Sequence, residues 1–112
     1  MAEIKLRPAD GTWVVRAGGA VLGESSTAIE LSEGDLPPVI YFPRDDIAME
    51  FLDPSDRTSN CRHKGDAVYF SIVTKSTVLQ DVAWSYETPT DGLGDIAGHL
   101  AFYADQVAVE KL

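Results

Sequence analysis

Residues 61–65 read Cys-Arg-His-Lys-Gly and hold the only cysteine of the chain beside basic side chains. A thiol becomes a nucleophile or a redox group when nearby cations stabilise its thiolate. On an extended strand, however, Cys61 and His63 lie on one face while Arg62 and Lys64 lie on the other, so the adjacent cations need not contact the sulfur. An unpaired cysteine is otherwise a small buried hydrophobic residue. The pattern leaves two interpretations open, a reactive Cys61 and a structural one.

The other residues that could carry chemistry form no complete motif. Structural zinc takes four cysteine or histidine ligands, whereas the chain offers one cysteine and two histidines, His63 and His99. Neither a Gly-rich phosphate loop nor a Gly-x-Ser-x-Gly nucleophile motif occurs. His99 lies in an apolar run and is either a general base or a hydrogen-bonded structural residue. We therefore predict no metal and no cofactor.

Aromatic residues with polar tips are spread over several predicted strands. They are Tyr41, Tyr69, Trp84, Tyr86 and Tyr103. Rings on neighbouring strands either fill a core or line a pocket, and tyrosine and tryptophan need a hydrogen-bond partner when they are buried. Both interpretations stay open for Trp84.

The acidic composition limits the partners. The chain has 112 residues and a formal charge of −9, from 18 acidic and 9 basic side chains. This charge repels nucleic acids and anionic lipid surfaces, so we expect neither as a partner. No apolar run is long enough to span a membrane, and residues 1–10 lack the apolar segment of a signal peptide. A single cysteine is typical of a reducing compartment. We expect a cytoplasmic protein with one domain over residues 1–112.

Short strands separated by turns must position these residues. Strands are predicted at 12–16, 20–25, 27–31, 39–42, 66–73 and 78–87, with two more near 100–102 and 107–109. Gly18-Gly19 predicts a tight hairpin turn, because both residues tolerate positive φ. One short helix is predicted near 45–52, where apolar residues recur with helical spacing. Many short strands with one helix predict a mainly β fold of antiparallel sheets, packed on each other or curled into a barrel.

Four sequence blocks occur in a distinctive order. They read LPPVIYFPRDDI, CRHKGDAVYFSI, VAWSYETP and IAGHLAFY, at residues 36–47, 61–72, 82–89 and 96–103. With these blocks the chain resembles the bacterial family known as domain of unknown function 427, over about residues 11–109. The resemblance implies a fold in which two short-stranded antiparallel sheets meet at an angle, tent-like or as a partly open barrel. The family has a proline after the cysteine and an aromatic residue before the lysine, where this chain has Arg62 and His63.

The resemblance marks further positions but implies no known reaction. The marked positions are Glu33, Tyr41, Pro43, Cys61, Lys64, Gly65, Tyr69, Trp84, Tyr86, Gly98, Phe102 and Tyr103. The family is sometimes labelled nucleotidyltransferase-like, yet no paired acidic metal-binding motif follows a Gly-Ser turn in this chain.

Three hypotheses of function follow. The first is a small-molecule-binding domain whose cleft suits an anionic or aromatic ligand. Its ligand-binding residues would be Glu33, Tyr41, Lys64, Tyr69, Trp84 and Tyr86. The second is an enzyme that uses Cys61, activated by Lys64 or His63, with Glu33 or His99 as proton carrier. The third is a structural or interaction protein that forms a homodimer through an exposed sheet edge.

Overall fold

The computed structural model describes residues 3–112 and builds them into short β-strands joined by turns. The strands in this range are β1 (Ile4–Pro8), β2 (Trp13–Ala17), β3 (Ala20–Ser25), β4 (Ile29–Glu33), β5 (Val39–Tyr41), β6 (Leu52–Cys61), β7 (Gly65–Val73), β8 (Val78–Tyr86), β9 (Ala101–Phe102) and β10 (Ala108–Lys111). Single turns of 3-10 helix lie at Arg44–Asp46, Met49–Phe51 and Gly94–Ile96. No helix within residues 3–112 is both long and apolar enough to cross a membrane.

The strands pair into three antiparallel sheets. The first sheet has the order β1-β4-β5, the second β10-β2-β3 and the third β6-β7-β8-β9. The predicted mainly β fold of antiparallel sheets is confirmed, with three sheets in place of two and no closed barrel in the described part of the chain.

The first and third sheets meet at a short backbone pairing that we call the seam. The Phe42 N–H donates to the Leu100 carbonyl at 2.8 Å, and the Leu100 N–H donates to the Phe42 carbonyl at 2.9 Å. These residues directly follow β5 and precede β9, so the seam joins the two sheets edge to edge. Side chains on one side of this continuous surface can therefore come from both sheets.

The predicted hairpin at Gly18-Gly19 is confirmed. Ala17 pairs with Ala20, so only the two glycines form the turn between β2 and β3. Their φ angles are +56° and +83°, and two successive positive φ angles are the signature of a two-residue hairpin turn.

The helix predicted near 45–52 forms only as two separate 3-10 turns. Between them Ile47 is extended, with φ −110° and ψ 136°. Ile47 bridges to Gly23 of β3, and the Ala48 N–H donates to the Leu22 carbonyl at 2.7 Å. An eight-residue helix gains little stability from its own hydrogen bonds, so this pairing with β3 determines the local conformation.

β1 and β6 were not predicted. β6 is the longer of the two and pairs only with β7, so it forms one edge of the third sheet. Its sequence, LDPSDRTSNC, is mostly polar and contains Pro54, features that argue against a strand except at an edge. The register shifts between Pro54 and Thr58, which marks a β-bulge. β6 ends at Cys61, which pairs with Gly65 across the hairpin turn.

Alternate residues of the central strands supply two separate cores. On β7, Val68 and Phe70 contact the large core, whereas Ala67 and Tyr69 contact the second core. The large core includes the fully buried Val15, Leu22, Phe42, Ile72 and Leu100. The second core, here called the tyrosine cluster, contains Leu31, Tyr41, Ala67, Tyr69, Tyr86, Leu93, Ile96 and Ala101, with Cys61, Trp84 and Tyr103 packed against it.

Gly23 is needed where β3 approaches the backbone of residues 46–47. A Cβ atom at this position would lie 2.6 Å from the Asp46 carbonyl oxygen and 3.3 Å from the Ile47 Cα. We expect Gly23→Ala to lower the free energy of unfolding by about 1–3 kcal/mol, because overpacking forces the backbone to shift. Gly94→Ala is the matched control, since a Cβ there meets no atom within 4 Å. Urea unfolding followed by circular dichroism measures both, and equal losses would contradict the prediction.

Candidate functional site

The tyrosine cluster lies between the first and third sheets and brings together most of the predicted ligand-binding residues. Tyr41 comes from β5, Tyr69 from β7, and Trp84 and Tyr86 from β8. Large side chains here face small ones on the next strand: Tyr86 lies opposite Ala67, and Trp84 lies opposite Ala101. The small partners leave room for the rings on the same face of the sheet.

Trp84 links the aromatic side chains of the two sheets. Its ring stands edge-on to Tyr41, with 6.4 Å between centroids and 89° between planes. Its Nε1–H donates to Tyr41 Oη at 3.3 Å. On its other side the ring lies 4.7 Å from the Tyr103 ring. Trp84 is therefore held by contacts from both sides.

Glu33 and Lys64 form an ion pair at one end of the cluster. Lys64 Nζ lies 2.7 Å from Glu33 Oε1, and the side chains are only 16% and 15% exposed. Glu33 is two residues after Leu31 on β4, so both point toward the cluster side of the strand. The ammonium group of Lys64 is therefore matched by the Glu33 carboxylate.

The turn that carries Lys64 is fixed by backbone contacts. The Lys64 N–H donates to the Cys61 carbonyl at 3.0 Å, which closes a β-turn. Gly65 follows with φ +110°, and a Cβ there would lie 3.3 Å from the Thr88 carbonyl oxygen. The Thr90 N–H donates to the Lys64 carbonyl at 3.1 Å. Residues 61–65 are thus a hairpin turn between β6 and β7, and the glycine allows the close approach of the 88–90 loop.

Two residues of β6 that sequence reasoning did not assign to the site also contact the cluster. The Arg57 Cζ lies 4.3 Å from the centroid of the Tyr69 ring. Ser59 Oγ and Tyr69 Oη share a hydrogen bond of 2.9 Å. Arg57, Ser59 and Cys61 alternate along β6, so they share one face of the strand. This alternation is the signal that would have found them, had β6 been recognised as a strand.

The two residues predicted to be catalytic line different parts of the surface. Cys61 packs against the tyrosine cluster. His99 lines a depression of about 450 Å³ together with Arg44 and Glu87. The Arg44 guanidinium is bound there by Glu87 at 2.9 Å and by the Gly98 carbonyl at 3.0 Å. His63 is exposed in the turn and lines a third region, beside Thr90.

The aromatic residues predicted to line a cleft pack against one another in the tyrosine cluster. Five depressions of about 310–450 Å³ lie on the surface of residues 3–112. None of these five is lined by Tyr41, Tyr69, Trp84, Tyr86 or Lys64. Two of them adjoin the cluster, one through Leu93 and the other through Tyr103.

Comparison with protein families agrees with the order of the four sequence blocks. A family model described as Domain of unknown function (DUF427) matches residues 5–111. The chain belongs to this family. No curated protein matches the sequence at a significant level. Of the positions that the resemblance marks, all but Pro43, Gly98 and Phe102 lie in the tyrosine cluster, in the turn after Cys61 or in the Glu33–Lys64 pair.

Burial raises the pKa of two tyrosines of this DUF427 domain, which makes them weaker acids than exposed tyrosines. Burial raises the pKa of Tyr41 to about 12, although the hydrogen bond from Trp84 opposes the shift. Burial also raises the pKa of Tyr86 above its ordinary value, and the nearby Tyr41 and Cys61 add to the shift. Both hydroxyls therefore keep their protons at neutral pH, and Tyr41 Oη accepts the Trp84 Nε1–H.

Alkaline pH should destabilise the domain through these tyrosines. Below pH 10 both the folded and the unfolded chain keep the phenol proton, so stability does not change. Between pH 10 and about 12 the unfolded chain ionises while Tyr41 stays protonated in the folded chain. The free energy of unfolding then falls by about 1.4 kcal/mol per pH unit for each such tyrosine. We expect Tyr41→Phe to reduce this slope in urea unfolding measured across that range, with tyrosinate absorbance recorded in parallel. Equal slopes for wild type and variant would refute the assignment.

Proposed function

We propose that the protein binds a small neutral molecule where Tyr86, Cys61 and the Glu33–Lys64 pair meet. The proposal rests mainly on the surroundings of the Tyr86 hydroxyl. The Tyr86 residue is only 6% exposed, yet its Oη has no hydrogen-bond partner within residues 3–112. Every fully enclosed side-chain nitrogen or oxygen of the buried residues in that range is partnered, so Tyr86 Oη is in contact with solvent. A ligand with an acceptor atom would replace solvent at this hydroxyl.

The local charges favour a neutral ligand. Lys64 is matched by Glu33 at 2.7 Å, so its charge is not free to hold an anion. Tyr41 and Tyr86 keep their phenol protons at neutral pH, and Trp84 contributes a partly buried aromatic ring. A flat molecule with one or two hydrogen-bond acceptors fits these groups best. The anionic ligand that the sequence suggested for Lys64 has less support.

A shallow depression supports access from this end. It has a volume of about 310 Å³ and is lined by Ile4, His63, Thr90, Asp91, Gly92 and Leu93. Ile4 pairs with Glu33 across β1 and β4, and Leu93 belongs to the tyrosine cluster. The volume is at the lower limit of small-molecule pockets. The proposed ligand would therefore be small.

The test is a screen of neutral, planar fragments by NMR on isotope-labelled protein. We expect at least one fragment to shift the ring signals of Tyr86 and Trp84 in a saturable way. Tyr86→Phe keeps the ring and removes only the hydroxyl, so it should weaken that fragment about 3–10-fold, the value of one neutral hydrogen bond. Val78→Thr is the control, since Val78 is 63% exposed at the far end of β8. A screen without ligands, or equal binding by Tyr86→Phe, would reject the proposal.

The other two hypotheses stay predictions. The enzyme hypothesis is tested by the rate at which Cys61 is alkylated across a range of pH, compared with the rate for a free thiol. Sedimentation at increasing protein concentration tests the homodimer, for which the outer edge of β6 is a candidate surface. We also propose a cytoplasmic location, because a reducing environment keeps Cys61 as a thiol.

A further inference from the structure

Two β-bulges flank β7 and direct their residues to one surface depression. In β6, residues 55–57 lie opposite the single residue Tyr69. In β8, residues 80–82 lie opposite the single residue Ser71. Bulges re-aim side chains and are frequent beside functional sites. Residues of both bulges line the same depression, which has a volume of about 410 Å³.

The depression has a mixed polar lining. Its polar side chains are Arg57, Gln80, Asp81, Tyr103, Asp105 and Gln106. The Tyr103 N–H donates to the Val82 carbonyl at 2.9 Å, and the Gln106 N–H donates to the Tyr103 carbonyl at 2.9 Å. These bonds fix the wall that follows β9. The depression is therefore bounded by ordered backbone on the β8 side and on the side of the 103–106 turn.

Opposite charges line this depression without neutralising one another. Arg57 takes part in none of the ion pairs found in residues 3–112, and its Cζ lies 4.3 Å from the centroid of the Tyr69 ring. Asp81 and Asp105 are likewise absent from those pairs. The lining of this depression thus has one cation and two carboxylates, none of which belongs to an ion pair within residues 3–112.

Asp81 holds its position in a strained conformation. Its φ is +56°, the only positive value at a non-glycine residue in the described part of the chain. The Asp81 N–H donates to Ser71 Oγ at 3.1 Å, which keeps the bulge in place. Glycine adopts this conformation without strain, so an aspartate here costs stability.

We propose that this depression binds a small zwitterion of the α-amino acid class, with the ligand carboxylate on Arg57 and its ammonium group on Asp81. A guanidinium binds a carboxylate through two parallel hydrogen bonds. A free anion is repelled by the −9 charge of the chain, whereas a zwitterion carries no net charge. A simple cation would leave Arg57 unpaired. This site is separate from the Tyr86 end of the cluster and does not depend on the function proposed there.

The experiment is an NMR titration of the labelled full-length chain with each standard L-amino acid at millimolar concentration. We expect saturable shifts of the Asp81, Tyr103 and Gln106 amides with at least one of them. The N-acetyl derivative and the methyl ester of that amino acid each lack one charge. Each should bind at least 10-fold more weakly, the value of a lost charge-assisted hydrogen bond.

Variants assign the two charges. Arg57→Gln and Asp81→Asn should each weaken binding at least 10-fold. Lys75→Gln and Asp35→Asn are the matched controls, since both residues are exposed and neither lines the depression. Asp81→Gly should abolish binding and raise the melting temperature, because the strain is relieved. A purely structural role for Asp81 would instead lower the melting temperature of this variant.

Three results would overturn the proposal. They are the absence of shifts at these amides with every amino acid, equal binding of the acetylated or esterified ligand, and unchanged binding by Arg57→Gln. The fragment screen follows the ring signals of Tyr86, whereas this titration follows the amide signal of Asp81. A negative result in one experiment therefore does not affect the interpretation of the other.

Discussion

Phe42→Ala is expected to lower the free energy of unfolding by about 3–5 kcal/mol, the cost of removing a fully buried aromatic ring. Phe42 is 0% exposed and belongs to the large core. Its ring stands edge-on to Phe102, with 5.9 Å between centroids. Its backbone forms the seam with Leu100, so the cavity would open where the first and third sheets join. Urea unfolding followed by circular dichroism and by tryptophan fluorescence measures the loss.

Two further variants separate the ring from the position. Phe42→Leu keeps most of the apolar volume and should cost clearly less than Phe42→Ala. Val21→Ala removes an apolar side chain that is 57% exposed, so it should change the free energy of unfolding by less than about 0.5 kcal/mol. If Phe42→Ala cost no more than Val21→Ala, the seam would not be a packed region in solution.

Lys64→Met has the second largest expected effect, a loss of about 2–4 kcal/mol. Removing one partner of a fully buried ion pair costs about 3–5 kcal/mol, because the other charge is left unpaired. Lys64 and Glu33 are 16% and 15% exposed, so water reaches the remaining carboxylate and reduces the loss. Methionine keeps a similar length and apolar volume, so the charge is the main change. Thermal and urea unfolding of the variant measure it.

A double-mutant cycle isolates the pair. Glu33→Gln alone leaves the ammonium of Lys64 unpaired, while the combination with Lys64→Met leaves no charge at all. We expect the double variant to be more stable than the sum of the single losses predicts. Lys75→Met is the control for the general effect of losing a positive charge, since Lys75 is exposed. Strictly additive losses would mean that the two side chains do not interact in solution.

Local sequence signals predicted the parts of the fold that local chemistry determines. The turn at Gly18-Gly19 needs two positive φ angles, and glycine supplies them at little cost. β7 and β8 show a two-residue period because successive side chains point to opposite faces of the sheet, which on β7 contact different cores.

The wrong or missing elements depend on partners that are distant in sequence. Ile47 has the spacing of a helical residue, but its bridge to Gly23 holds it extended. β6 is an edge strand with a bulge, so its polar residues and Pro54 carry no strand signal. In both places pairing with another strand outweighs local preference, and a single sequence does not reveal that pairing.

In the candidate site, too, some features could be predicted from the sequence and others depend on residues that are distant in the chain. The resemblance to the DUF427 family directed attention to Tyr41 and Tyr86, which pack in one cluster, and to Lys64, which pairs with Glu33. The ion pair between Glu33 and Lys64 depends on how β4 meets the turn after Cys61, and no spacing in the sequence encodes it. Asp81 was missed because a strained φ is a property of the bulge and not of the residue type.

The division into two cores also gives the protein two separate optical probes. The chain has two tryptophans: Trp13 packs against the large core and Trp84 against the tyrosine cluster. Replacing either one by phenylalanine leaves an emission signal that reports on a single core. If the cores unfold together, both single-tryptophan variants will give superimposable transitions. If a ligand contacts only one core, only the tryptophan in that core will change its emission on binding. Site occupancy can then be followed by fluorescence without a label.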